Sequence, residues 1–291
     1  MVHIYKCINN KIITQDKLNL VIMVRGDKLI YIANSDWSPT KRNPFTTDGA
    51  YDENWSSFIY DPSITYFTNV YPESKLHVIR FSPDADKNYI RLFDFLNYET
   101  SYQRNAIIKF CLGMNAEGII ELFNKSSHQV EYRSSDEKYM VHSTTLSAWE
   151  SIKQDGGLLS PNSLKKNNRA VNEIGLKPLN EPKDYSDYIM LDVLDGCGEL
   201  VVNSHNLGFV CIDPNINYKP GVRLYFDVKK IFAAGLVTRD GLHLVKVKDR
   251  LPLQDCLLAA ITANDFEASI QWTPSLFTQK ANELFYSKYI G

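Results

Sequence analysis

The segment YMVHSTTLSAWESIKQDGGLLSPN, residues 139–162, constrains the fold of this chain more than any other part of its sequence. A short apolar run ends in three polar residues, His142, Ser143 and Thr144, and this pattern predicts a β-strand. The residues that follow, 146–155, have the apolar spacing of an amphipathic helix. The segment therefore predicts a strand, a helix and a glycine turn in direct succession.

Both ends of this helix have recognisable signals. Ser147 and Glu150 have the spacing of a capping box, which satisfies the free amides of a helix N-terminus. Gly156 and Gly157 suit the C-terminal cap, where the backbone often enters the left-handed region. We therefore expect the helix to begin near Ser147 and to end at the glycine pair.

The rest of the C-terminal half is predicted to be rich in strands. Four apolar runs read as strands, and KKIFAAG reads as a short helix that stops at a glycine. The runs are residues 188–194, 198–204, 222–228 and 242–247. Strands interspersed with small helices predict an α+β arrangement.

The N-terminal half has clear elements but no readable motif. Residues 18–34 predict a hairpin that turns at Gly26-Asp27, and residues 75–83 predict a further strand. Residues 102–126 have helical spacing, interrupted at Gly113. The aromatic-rich stretch 36–60 contains a long loop, whose rings form either a loop core or a target-binding face.

A domain boundary is expected near residue 135, because residues 126–138 are polar and short of apolar side chains. We therefore divide the chain into two parts. Residues 1–135 are an α/β N-terminal region without an assigned role, for which target recognition is the candidate, and residues 136–291 are a catalytic domain.

Composition excludes some classes of protein. The chain has 291 residues, 44% apolar and 23% charged, and its net charge of -2 provides no bulk attraction for nucleic acid. Its five cysteines are odd in number and lack the CxxC spacing of metal sites. Its N-terminus does not resemble a secretory signal, and no apolar run is long enough to span a membrane. These features predict a cytoplasmic location and no membrane partner.

The segment that begins at Tyr139 resembles the opening of the ADP-ribosyltransferase superfamily, in which a strand ending in His and hydroxyl residues precedes a helix and a Gly-Leu turn. His142, Ser143 and Thr144 match the strand, while Leu158 and Pro161 match the turn. The resemblance implies a split β-sheet core with small helices, and NAD as cofactor.

Two further segments resemble particular branches of that superfamily. Residues 221–253 follow the element order of the RNA 2′-phosphotransferase branch. The sequence GELVVNS resembles the strand that carries the catalytic glutamate in DNA-modifying members, which identifies Glu199 as the candidate acid. The alternative for Glu199 is a solvated residue on an edge strand.

The resemblance implies roles for seven residues. Glu199 stabilises the oxocarbenium-like charge that develops when the nicotinamide–ribose bond breaks, and His142 fixes the ribose. The cofactor is held by hydroxyl groups, an aromatic ring and guanidinium groups, supplied by Ser143, Thr144, Tyr188, Arg169 and Arg223. The chemistry requires no metal. Alternatively, His142 is an ordinary strand-end histidine, Tyr188 belongs to the core and Arg223 faces solvent.

The predicted function is that of an NAD-dependent ADP-ribosyltransferase in a toxin or defence system, acting on a macromolecule. DNA or RNA is preferred over protein as acceptor, because both branches act on nucleic acid. The first alternative is an RNA 2′-phosphotransferase-like enzyme, and the second is a non-catalytic binding protein with the same fold.

Overall fold

The computed structural model describes residues 6–8, 11–13, 20–24, 28–33, 36–71, 74–169, 171 and 182–290. The chain divides into two compact units. The first comprises Met1–Gln129, Leu179–Pro182 and Arg239–Leu242, and the second comprises Val130–Pro178, Lys183–Thr238 and His243–Gly291. Helices and strands are mixed throughout, so the predicted α+β class is confirmed at this level.

The first unit is built on one eight-stranded mixed sheet in the order β1-β2-β3-β4-β8-β5-β7-β6. The neighbours β4, β8, β5 and β7 run parallel, whereas the two edges are antiparallel. Its elements are β1 (Lys6–Ile8), β2 (Lys11–Ile13), β3 (Leu20–Val24), β4 (Lys28–Ala33), β5 (Trp55–Tyr60), β6 (Tyr66–Tyr71), β7 (Leu76–Phe81), α1 (Ile90–Ser101), β8 (Asn105–Lys109) and α2 (Ala116–Lys125). A short 3₁₀ turn, Lys87–Tyr89, precedes α1.

The two faces of this sheet are covered in different ways. Helices α1 and α2 pack on the face that carries Phe58 and Ile108. The opposite face is covered by the long loop after β4, whose Trp37 is buried and donates to the hydroxyl of Tyr51 at 3.0 Å. The aromatic side chains of this loop therefore form a loop core, which decides between the two alternatives left by the sequence.

The predicted hairpin of residues 18–34 is confirmed by the antiparallel pairing of β3 with β4, while its turn, Gly26-Asp27, lies outside the described residues. The helix predicted from residue 102 is wrong in its first half. Residues Asn105–Lys109 form β8, which lies between β4 and β5. A central strand buried on both faces has a continuous apolar run, which mimics one turn of a buried helix.

The second unit contains three small sheets and five helices among its described residues. Its elements are β9 (Tyr139–Thr144), α3 (Leu146–Asp155), β10 (Gly157–Leu159), α4 (Pro161–Lys166), β11 (Tyr188–Met190), α5 (Gly198–Leu207), β12 (Val222–Asp227), α6 (Val228–Ala233), β13 (Val237–Thr238), β14 (Lys246–Lys248), β15 (Arg250–Pro252), β16 (Leu257–Thr262) and α7 (Pro274–Phe285). Two 3₁₀ turns, Lys183–Asp187 and Ala263–Asp265, and a final π-helical turn, Tyr286–Ile290, complete it.

The sheets of the second unit are all antiparallel. Strand β12 lies between β9 and β16, while β14 lies between β11 and β13, and β10 pairs with β15. A bridge between Val141 and Asp192 joins β9 to the chain just after β11. The first sheet packs one face, including Leu224, on the strands of the other two sheets, and its other face on α7 through Tyr225 and Phe285.

Helix α3 has the predicted extent but a different cap. The hydroxyl of Thr145, and not that of Ser147, accepts the amide of Ala148 at 3.2 Å. Gly156 ends the helix with φ of 65°, which confirms the predicted C-terminal cap. Within the described part of the chain, no helix is long and apolar enough to cross a membrane.

The strand predicted over residues 198–204 is wrong, because these residues begin helix α5. The sequence contains the apolar run Leu200, Val201 and Val202, and a short run with two valines favours a strand when read locally. The buried positions, however, include Glu199, Val202 and Asn203, which recur with helical spacing. Gly208 ends the helix with φ of 79°.

Candidate functional site

Strand β9 sends its polar side chains to two different environments. His142 is paired in register with Leu224, and Ser143 is paired with Arg223. Side chains alternate between the faces of a strand, and register partners share a face. His142 therefore lies on the face that packs against the other sheets, and Ser143 lies on the face that α5 and α7 cover.

His142 is half-buried and hydrogen-bonded to the backbone of Met190. Burial lowers the pKa of His142 to about 4, because the charged imidazolium loses its hydration, and the bond to Met190 offsets only part of this effect. The imidazole is consequently neutral near pH 7. It is a hydrogen-bonding group without charge at the end of an edge strand.

Thr144, the last residue of β9, lies close to the backbone of Gly221. A Cβ on Gly221 would lie 1.9 Å from the carbonyl oxygen of Thr144, so only glycine allows the two backbones to approach at the start of β12. The backbone at the end of β9 is thereby fixed against its neighbour.

Glu199 lies at the centre of a buried polar network. One carboxylate oxygen accepts the hydroxyl of Ser143 at 2.5 Å and Nη1 of Arg223 at 3.1 Å, while the other accepts the hydroxyl of Tyr218. The Glu199 side chain is only 2% exposed. Both oxygens are therefore engaged by the protein itself.

Arg223 extends this network in two further directions. It donates to the carbonyl oxygen of Leu194 and, at 3.2 Å, to the hydroxyl of Tyr225. Tyr225 in turn donates to Asn282 of α7 at 2.9 Å. Burial raises the pKa of Tyr225, and burial together with the adjacent Glu199 carboxylate raises the pKa of Tyr218, so both phenols keep their protons.

His142 and Glu199 do not face one cleft, contrary to the expectation that both contact the same ribose. Ser143 is bonded to Glu199, and the neighbouring His142 points to the opposite face of the same strand. The catalytic assignments of the two residues stay predictions, but the geometry separates their side chains.

Tyr188 is buried, and its ring contacts a cation of the protein. The ammonium of Lys246 lies 4.3 Å from the centroid of Tyr188 and 3.7 Å from that of Tyr185. Lys246 is itself fully buried, so the two rings hold its charge by cation–π interaction. Binding of the cofactor by the ring of Tyr188 remains a prediction, and one face of the ring is already occupied by Lys246.

Arg169 forms a forked ion pair with Asp155, the last residue of α3, with one nitrogen–oxygen distance of 2.8 Å. This contact lowers the pKa of Asp155 and raises the pKa of Arg169. Of the two arginines expected to hold the cofactor, Arg223 is thus buried in the network and Arg169 is paired at the surface.

The α5 and α7 side of the unit contains a cleft of about 580 Å³, and Glu199 lies in its lining. A second cleft, of about 650 Å³, shares Asp195 and Tyr286 with the first. Among the described residues, no group of three His, Cys, Asp or Glu side chains is arranged to hold a metal.

Sequence reasoning missed Tyr218, which donates to Glu199, and Asn282, which accepts from Tyr225. Tyr218 lies in a loop, and Asn282 lies on a helix near the C-terminus. Neither belongs to a motif, so no local signal identified them. No local signal identified the buried Lys246 either. It alternates with apolar residues, which is the pattern of a solvent-facing position on a strand.

Comparison with protein-family models, curated proteins and solved structures returns no match for this chain. The choice between functions therefore depends on its own residues and their geometry.

Proposed function

We propose that this chain is an NAD-dependent ADP-ribosyltransferase that modifies a macromolecule, with DNA or RNA preferred over protein as acceptor. In this proposal the second unit has the split-sheet core of that superfamily, and the first unit contributes to target choice. The observation that carries the proposal is His142, a neutral imidazole in a His-Ser-Thr strand end that is followed directly by α3 and a Gly-Gly-Leu turn.

A neutral imidazole suits the chemistry. When the bond between nicotinamide and ribose breaks, positive charge develops on the ribose, and a protonated histidine beside it would oppose that charge. With a pKa of about 4, His142 offers a hydrogen bond to a ribose hydroxyl without adding a charge. Thr144, two residues further on the same face, is suited to bind the polar edge of the cofactor.

The transition state of the proposed reaction needs a carboxylate to stabilise its positive charge. The resemblance assigns this role to Glu199, whose two oxygens bind Ser143, Tyr218 and Arg223. In this geometry Glu199 supports β9 through Ser143, and direct contact with a ribose requires these bonds to open. Glu199 is thus a positioning residue for the strand that carries His142.

A non-catalytic binding protein is the second candidate, and a specific observation favours it. Glu199, Arg169 and Arg223 all have partners within the chain, which is typical of residues that support a fold. An RNA 2′-phosphotransferase-like enzyme is the third candidate. It would use the same cofactor but would need additional cations for the 2′-phosphate of its substrate.

Incubation with radiolabelled NAD separates these candidates. Label on DNA, RNA or a lysate protein supports an ADP-ribosyltransferase, and nicotinamide release with loss of a 2′-phosphate supports a phosphotransferase. Binding without turnover supports a binding protein. The matched variants are His142→Ala and His205→Ala, because His205 is a second partly buried histidine whose pKa is also lowered by burial. Loss of turnover in both variants, or in neither, contradicts the role of His142.

A further inference from the structure

Strand β6 forms one edge of the eight-stranded sheet of the first unit. It pairs antiparallel with β7 along its full length, from Tyr66 opposite Phe81 to Tyr71 opposite Leu76. Among the strands that the structure describes, β7 is the only neighbour of β6. Within that part of the chain, the other side of the β6 backbone is therefore open to a further strand.

One backbone hydrogen bond identifies the groups of β6 that point away from β7. The amide of Ser82 donates to the carbonyl oxygen of Thr65 at 3.2 Å, and these two residues continue the register of the strands as a hydrogen-bonded pair. Such pairs alternate along an antiparallel ladder with pairs whose N–H and C=O groups point to the other side. The outward backbone groups of β6 are therefore those of Tyr66, Thr68 and Val70.

Strand β6 lacks the features that usually protect an edge strand. Native edges commonly carry lysine, proline or a bulge, each of which prevents pairing with another chain. The sequence of β6 is YFTNVY, six residues without a charge, a proline or a glycine, and its register with β7 is uninterrupted. This edge is therefore suited to backbone hydrogen bonds with another extended strand.

The sequence of β6 fits an antiparallel copy of itself. About a two-fold axis at Thr68, this residue lies opposite Thr68 of the second copy, and Tyr66 lies opposite Val70 of the second copy. Thr–Thr pairs, and pairs of an aromatic with a β-branched residue, are favourable between antiparallel strands. No like charges are brought together, because the strand has none. A second copy of this chain is therefore the occupant that the edge matches.

We propose that β6 pairs with β6 of a second copy, so that the two eight-stranded sheets form one continuous sheet across a homodimer. Each opposed pair among residues 66, 68 and 70 exchanges two backbone hydrogen bonds in this arrangement. The contact is isologous and uses the open side of both strands, so the assembly closes at two chains. The proposal does not depend on the proposed NAD chemistry.

The first test is sedimentation velocity of the full chain over a range of concentrations, in which the wild type should show a dimer. Thr68→Pro removes the N–H that each copy donates at the two-fold axis. It leaves the bonds to β7 intact, because the amide of Thr68 points away from β7, and proline is tolerated at such positions of an edge strand. We expect this variant to raise the dissociation constant of the dimer about tenfold or more, with an unchanged circular dichroism spectrum.

The second test is cysteine cross-linking, which reports the register even if the proline variant fails to fold. The Cα atoms of the two Thr68 residues should lie about 5.5 Å apart, within the range of a disulfide. Thr68→Cys should therefore give a disulfide-linked dimer under mild oxidation. Asn69→Cys is the matched control, because its two copies lie diagonally, about 7–8 Å apart, and should not be bridged. The wild type measures the background from the native cysteines.

Three results overturn the proposal. The first is a wild type that sediments as a monomer at every concentration, which would leave the edge to a strand of another protein. The second is a folded Thr68→Pro variant that dimerises as tightly as the wild type. The third is equal cross-linking of the Thr68→Cys and Asn69→Cys variants.

Discussion

Arg223 of β12 and Glu199 of α5 form an ion pair of 3.1 Å in which the side chains are 0% and 2% exposed. Removing one partner of a buried pair leaves the other charge without compensation, which costs about 3–5 kcal/mol. We therefore expect Arg223→Ala to lower the free energy of unfolding by about that amount, as measured by urea denaturation.

Arg169→Ala is the matched control, because it also removes an arginine from a carboxylate, but at a surface where the Arg169 side chain is 38% exposed. Exposed pairs contribute about 0–1 kcal/mol. If the two variants unfold at the same urea concentration, the buried network does not hold the second unit together.

Glu199→Gln distinguishes support of the fold from direct catalysis. The amide preserves the shape but leaves Arg223 without a counter-charge, so we expect a clear loss of stability. At a temperature where the variant remains folded, transfer from NAD should fall less than about tenfold if Glu199 acts through Ser143. A fall of about 10²–10³ with NAD binding retained would instead indicate that Glu199 contacts the ribose.

The pH dependence of stability should report the half-buried His142. Its folded-state pKa of about 4 is below the ordinary value of 6.5, so the unfolded chain binds more protons between these limits. Stability is thus present above pH 6.5 and is lost as the pH falls towards 4, with a slope of at most about 1.4 kcal/mol per pH unit from this group. Unfolding of the wild type and His142→Gln should be compared across this range. An identical slope in both proteins would contradict the assignment.

The elements that the sequence predicted well are those whose local pattern agrees with their packing. Strand β9, helix α3 and the β3–β4 pair have uninterrupted periodicity and clear turn residues. The predictions for β8 and α5 were wrong because a short apolar run fits either a strand or a helix. The choice between strand and helix depends on the neighbouring elements. Strand β8 lies between the parallel strands β4 and β5, and α5 lies beside α7.

The candidate site was predictable only in part, because its contacts join residues far apart in the chain. Glu199 meets Ser143 across 56 residues and Arg223 across 24. The motif identified His142, Ser143 and Glu199 individually. It contained no information on which face of the strand each side chain occupies, and that is decided by register with β12.

Among the segments that the structure describes, the one between α2 and β9 should be cut early in limited proteolysis. Residues 126–138 contain neither helix nor strand, and Arg133 and Lys138 provide trypsin sites there. The long loop after β4 is the internal control, since Lys41 and Arg42 also lie in irregular chain. Cleavage requires local unfolding, and the aromatic core under that loop opposes it. Mass spectrometry of early digestion products should therefore find cuts after Arg133 or Lys138 before cuts after Lys41 or Arg42, and the reverse order would contradict a linker at residues 126–138.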